Sequence, residues 1–133
     1  MKKVLLDTNA YVRFLRGDEK VMTYLAQADN VYLSVFVLGE LYAGFKAGGK
    51  ERDNRQILER FLLKSTVTVL EATVETADIF GLITASLKKS GNPIPINDVW
   101  IAAHALETGS ILVTYNDHFA RIPGLRLWVE IGH

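Results

Sequence analysis

At 133 residues the chain is sized for one domain, residues 1–133, and its 49% hydrophobic content suffices for a substantial core. Fifteen basic residues balance fifteen acidic ones, which is not the basic excess of a passive nucleic-acid binder but leaves room for an enzyme with local fields. The absence of cysteine excludes disulfides, thiolate metal sites and redox dithiols, and no apolar run is long enough to span a bilayer or to serve as an export signal, so the expectation is a cytoplasmic protein that stays off membranes.

The first predicted element is a strand through Val4, Leu5 and Leu6. A short, continuous apolar run belongs to a strand covered on both faces of a parallel sheet. It leaves Asp7 at the strand's carboxyl end, where such sheets place ligand sites. A short helix follows from Asn9 to Arg16, stopped near Gly17, and then a second from about Asp18 to Ala28 with Val21, Met22 and Leu25 at helical spacing. Val31 to Leu33 is a brief strand. Ser34 is placed to N-cap a helix that carries Glu40 inside VFVLGELYAGF and ends near Gly48 and Gly49.

Residues 51–64 read as an amphipathic helix with Ile57, Leu58, Phe61 and Leu62 on one face, and Thr66 to Leu70 is β-branched and strand-like. A longer helix from about Thr73 to Lys89 offers Ala77, Phe80, Ile83, Ala85 and Leu87 to the core. Pro93 and Pro95 hold an extended loop that leads through Asn97 and Asp98 into VWIAAHALETG, a helix apolar on most sides and therefore central. Ser110 to Thr114 is another buried strand, followed by a turn at Asn116 and Asp117 and a last short strand around Leu125 to Val129. Strands alternating with helices give the α/β class: a three-layer α/β/α domain on a mostly parallel sheet of four or five strands.

Three carboxylates stand in apolar settings: Asp7, Glu40 and Asp98. Taken singly, Asp7 and Asp98 each look like helix N-caps. Glu40 sits mid-helix among apolar residues, at a rim or beside an arginine such as Arg13. Taken together they gain weight, because strand ends and helix starts collect at one rim of a parallel sheet, and the strand ending at Thr114 brings Asn116 and Asp117 to that rim. Converging carboxylates repel one another, and a hard divalent cation such as Mg²⁺ or Mn²⁺, which takes oxygen ligands, answers that repulsion.

The remaining polar and aromatic residues have structural readings. His104 fits a hydrogen-bonded core position, His118 shapes the turn, and His133 is terminal. Trp100 and Trp128 are packing residues. The basic pairs Arg13 and Arg16, Lys46 and Lys50, Arg52 and Arg55, and Lys88 and Lys89 are available to line a groove but read first as solvated faces.

Four blocks, VLLDTNAYV, SVFVLGELYAG, PINDVWIAAHAL and ILVTYNDHFARIPGLRL, together resemble the PIN-domain ribonucleases, and within them the VapC-type toxins of toxin–antitoxin pairs. The blocks cover essentially the whole chain in the family's order. The resemblance implies a Mg²⁺-dependent endoribonuclease, with Mn²⁺ as a substitute, that hydrolyses RNA phosphodiesters with water. It implies that Asp7, Glu40 and Asp98 bind the metal, that Thr8 and Asn9 orient Asp7, and that Thr114 joins the network of metal and water. The family's fourth acid falls on Asn116, an amide, with Asp117 adjacent; this departure weakens the case for a second metal. The partners implied are RNA and a VapB-type antitoxin that inserts a basic side chain toward the acids, together with a homodimer contact. The apolar set Val21, Leu25, Leu38, Leu41, Tyr42 and Phe45, too many to face one sheet, also predicts an interface.

Three rivals fit less well. A receiver domain needs a lysine after a late strand, where this chain has Thr114-Tyr115-Asn116. A haloacid-dehalogenase-type phosphatase needs a second Asp where Asn9 stands. A catalytically silent PIN-like binding module has no need of Asp7, Glu40 and Asp98 together.

Overall fold

The computed structural model describes residues 1–128, so Val129 of the expected last strand and His133 lie outside the described residues. The chain runs β1 (Lys3–Leu6), α1 (Thr8–Leu15), α2 (Glu19–Ala26), β2 (Asn30–Ser34), α3 (Val35–Ala47), α4 (Glu51–Leu62), β3 (Val67–Leu70), α5 (Val74–Ser90), α6 (Ile96–Thr108), β4 (Ile111–Val113), a 3₁₀ turn (Asp117–Arg121) and β5 (Arg126–Leu127). The five strands form one sheet in the order β3-β2-β1-β4-β5, with every pairing parallel. Helices flank it, as the alternating pattern predicts.

Val4, Leu5 and Leu6 are wholly buried, as a strand covered on both faces requires. Side chains of this kind each contribute roughly 1.5–3 kcal/mol when removed from water. Tyr11 and Phe14 of α1 meet the edge of Phe61 on α4, at 5.3 and 5.6 Å between ring centres, which fixes α1 and with it the segment after β1. Ser34 caps α3 by accepting from the Phe36 N–H. Gly91 and Gly109 end α5 and α6 in the left-handed region, at φ 71° and 68°. Among the described residues no helix is long and apolar enough to cross a membrane.

His104 is buried, with Nδ1 2.8 Å from the Ser34 hydroxyl and Nε2 3.1 Å from the Glu71 carbonyl, and burial lowers its pKa. Trp100 stacks between Phe36 and Phe80, and Trp128 is buried with its indole N–H donating to the Thr114 carbonyl. All three are packing residues, as expected.

Three expectations need correction. In α5 the buried stripe runs through Thr76, Ile83 and Leu87, with Ile79 and Phe80 half-buried; Ala77 and Ala85 lie off that stripe and are exposed. Asp98 is not an N-cap: Pro93 and Pro95 keep the backbone extended only as far as Pro95, the helix starts at Ile96, and Asp98 falls in its first turn. The apolar set on α2 and α3 is not a wet patch. Val21, Leu38 and Leu41 are buried and Leu25, Tyr42 and Phe45 half-buried, because α3 packs against α1, α4 and α6 as well as β2 and so needs more than one apolar face.

Candidate active site

β1 and β4 are neighbours, yet β1 leads on to β2 at one side and β4 to β5 at the other. This is the switch point of the sheet, where a crevice opens beyond the strand ends. The Asp7 N–H donates to the Val113 carbonyl at 3.0 Å, so Asp7 and Thr114 leave the sheet side by side. Asp7 is 3% exposed. Its Oδ1 accepts from the Thr8 N–H at 2.8 Å, which caps α1, and its Oδ2 accepts from the Thr114 hydroxyl at 2.7 Å. Asp7 is thus both the helix cap and the innermost acid of the rim, so the two readings of its sequence context do not compete.

Asn9 sits between them. Its amide N–H group reaches Asp7 Oδ2 and Thr114 Oγ1, each at 3.4 Å, and its oxygen accepts from the Tyr115 N–H at 3.0 Å. Glu40 is exposed at the rim, held by the Thr8 hydroxyl at 2.6 Å and not by Arg13. Asp98, on the first turn of α6, lies 2.7 Å from His118 Nε2, an ion pair when the imidazole is protonated. The Asn116 N–H donates to the Thr114 hydroxyl at 3.0 Å, which places its backbone at the rim, but among the described residues its side-chain amide bonds to none of the acids. Asp117 is exposed at the start of the 3₁₀ turn and is not drawn in.

His118 is the partner that reading the sequence missed. The usable signal was its position two residues beyond Asn116, in the segment that returns from β4 to the rim.

Burial pushes the Asp7 carboxyl up to about 6, against the pull of the Thr114 and Thr8 hydrogen bonds, and the charges of Asp98 and Glu40 push it the same way as burial. Burial also raises Asp98; His118 lowers it, and Glu40 raises it. The three acids therefore feel one another. Among the described residues no three His, Asp or Glu side chains already form a ready ligand group. The donors still fit a hard divalent cation in kind: all are carboxylate oxygens, and the charges of their neighbours push Asp7 and Asp98 up. A cation here competes with Thr8 for Glu40 and with His118 for Asp98.

A family profile for the PIN domain matches residues 4–125. The chain is 37% identical to "Ribonuclease VapC2" of Haemophilus influenzae over 134 residues, 97% of this chain and all of that protein. It is 30% identical to the "tRNA(fMet)-specific endonuclease VapC" of Salmonella typhimurium over 130 residues, 96% of this chain and 97% of the relative. Among solved structures it resembles VapBC2 from Rickettsia felis, bound to a DNA fragment from the promoter, with a TM-score of 0.85, 29% identity, and 95% of this chain and 97% of that chain covered.

Proposed function

The chain belongs to the PIN-domain family, among its VapC ribonucleases, and from that premise we propose that it is the endoribonuclease of a toxin–antitoxin pair, dependent on Mg²⁺ with Mn²⁺ as a substitute. It acts as a single domain in the cytoplasm, and its protein partner is a VapB-type antitoxin, as in the solved relatives that pair VapB with VapC. The observation that carries the enzymatic reading is Asp7: a carboxylate 3% exposed at the switch point of the sheet, raised to about 6, with Asp98 and Glu40 as its charged neighbours. Crowding three carboxylates at one rim costs the fold electrostatic energy, and a bound cation offsets that cost.

Asp7, Glu40 and Asp98 hold the cation. When bound, a divalent cation supplies the positive charge that draws a phosphodiester to an acidic rim, and it acidifies the attacking water. Thr114 and the Thr8 N–H fix the plane of the Asp7 carboxylate. Asn9 locks the strand end after β4 to α1, so the rim keeps its shape when substrate arrives. Thr8 holds Glu40, and His118 lies against Asp98 while no cation is there. Asn116, beside Thr114, completes the rim with an uncharged oxygen.

Cleavage of a fluorogenic RNA by wild type, Asp7→Asn and Asp98→Asn, with and without EDTA, tests the assignment. Each variant abolishes cleavage with circular dichroism unchanged. Undiminished cleavage by either variant, or in excess EDTA, would sink the mechanism.

A further inference from the structure

Three acids attract a cation but repel the rest of an RNA strand, and the chain's formal net charge of zero offers no general attraction. Something local must hold the backbone. Lys46 and Arg55 do not serve, because both face Glu51. Arg13 differs. It stands one turn beyond Asn9 on the same face of α1, about 5–6 Å along the helix. Its guanidinium lies 3.9 Å above the centre of the Tyr115 ring.

Tyr115 is fixed from several directions. Its backbone lies between Thr114 and Asn116, with its N–H held by Asn9 at 3.0 Å. Its hydroxyl donates to Asp18 Oδ2 at 2.6 Å, and its ring stands edge-on to buried Trp128 at 5.2 Å. Asp18 feels the charge of Arg13 but uses its oxygens elsewhere: Oδ2 on Tyr115, and Oδ1 on the Lys20 and Val21 N–H groups that cap α2. A guanidinium carries five N–H donors, so one that lies over the Tyr115 ring and shares a side-chain hydrogen bond with that residue still has donors left for a phosphate. Arg13 also lines, with Arg16, Gly17 and Asp18, an open depression of about 330 Å³.

Taking the acidic rim as the cleavage site, on which this inference rests, we propose that Arg13, backed by Arg16, binds the RNA backbone at a phosphate next to the one cleaved, and that Tyr115 is the positioning residue that holds Arg13 there. The strand then leaves the site along α1 toward the turn between α1 and α2.

The test is fluorescence anisotropy with a short fluorescein-labelled RNA hairpin, with Ca²⁺ in place of Mg²⁺ and a series of salt concentrations, alongside cleavage in Mg²⁺ and Mn²⁺. Arg13 is exposed, so Arg13→Gln keeps the fold. It weakens binding about fivefold to tenfold and lowers the slope of log affinity against log salt by about 0.7–1, the loss of one phosphate contact. Arg13→Lys, which keeps the charge, restores most of the slope. In cleavage, the loss falls mainly on KM. Equal affinity and slope in wild type and Arg13→Gln overturn the proposal, as does an equal loss in both variants with an unchanged slope. Should wild type bind with these differences yet cleave nothing in either metal, the nuclease assignment fails and the phosphate contact stands. Cleavage by a wild type whose binding Arg13→Gln does not alter is the reverse case.

Discussion

The Thr114 hydroxyl donates to Asp7 Oδ2 across 2.7 Å, and this bond ties the carboxyl end of β4 to that of β1. The Thr114 hydroxyl oxygen also accepts from the Asn116 N–H at 3.0 Å and lies 3.4 Å from the Asn9 amide. One buried hydroxyl thus orients the innermost acid, the loop after β4 and the first turn of α1. Its place is not interchangeable with that of an apolar side chain of the same shape.

Thr114→Val should therefore cut cleavage about 10–100-fold, the usual cost of removing a group that orients a metal ligand, while the domain stays folded. Thr114→Ser, which keeps the hydroxyl, should recover most of the rate. Rate constants for both, with circular dichroism as the folding control, check this. A valine variant at wild-type speed would mean that Asp7 needs no orienting bond.

What the sequence disclosed here is what depends on neighbours in the chain. The apolar run Val4-Leu5-Leu6, the Ser34 cap and the proline-held approach to α6 are local, and each predicted its element. A proline loop before an acid looks like a cap, but Pro95 itself occupies that position and Asp98 falls in the first turn. Contacts between distant elements were not legible. The Asp98–His118 pair and the Arg13–Tyr115 contact join residues on different elements, far apart in the chain, that only the fold brings together. The apolar residues of α3 outnumber what one sheet can cover. In the fold, three neighbouring helices absorb it.

The raised pKa of Asp7 makes a stability prediction whose sign is opposite to that of most carboxylates. Its folded value of about 6 lies above the ordinary 3.8, so the metal-free fold binds this proton more tightly than the unfolded chain does. That contribution is full below pH 3.8 and is lost as pH rises through 6, a change of about 3 kcal/mol. Asp7→Asn should stabilise the metal-free protein at pH 8 by an amount of that order, and the gain should shrink toward pH 4. Added Mg²⁺ should then favour wild type and not the variant. Urea unfolding at both pH values decides it, and an equal difference at pH 4 and pH 8 would rule out Asp7 as the source.

Tyr11 is wholly buried, and among the described residues its hydroxyl has no hydrogen-bond partner; burial pushes the phenol up to about 12. Its ring works against the edge of Phe61 without help from the hydroxyl. Tyr11→Phe should leave that packing intact and stabilise the fold by about 1 kcal/mol, since an unpaired buried donor is removed. Destabilisation of similar size would show that the hydroxyl has a partner after all.

Asn116 offers the most direct test of how many charges the rim can carry. Its N–H is already anchored on the Thr114 hydroxyl, so a change of side chain there alters charge at the rim without moving the backbone. Asn116→Asp adds a fourth carboxylate to a group whose members already repel one another, as the upward push of Asp98 and Glu40 on Asp7 shows. The added repulsion should lower the stability of the metal-free protein. A divalent cation relieves that repulsion, so Mn²⁺ should bind about tenfold more tightly, a difference of about 1.4 kcal/mol. Calorimetric titration gives affinity and stoichiometry together, and urea unfolding without metal gives the cost. Tighter binding with lower metal-free stability is the signature of a charge placed on the cation site. Unchanged affinity and stoichiometry would mean that the side chain at 116 faces away from the metal and that Asp7, Glu40 and Asp98 hold it without a fourth residue.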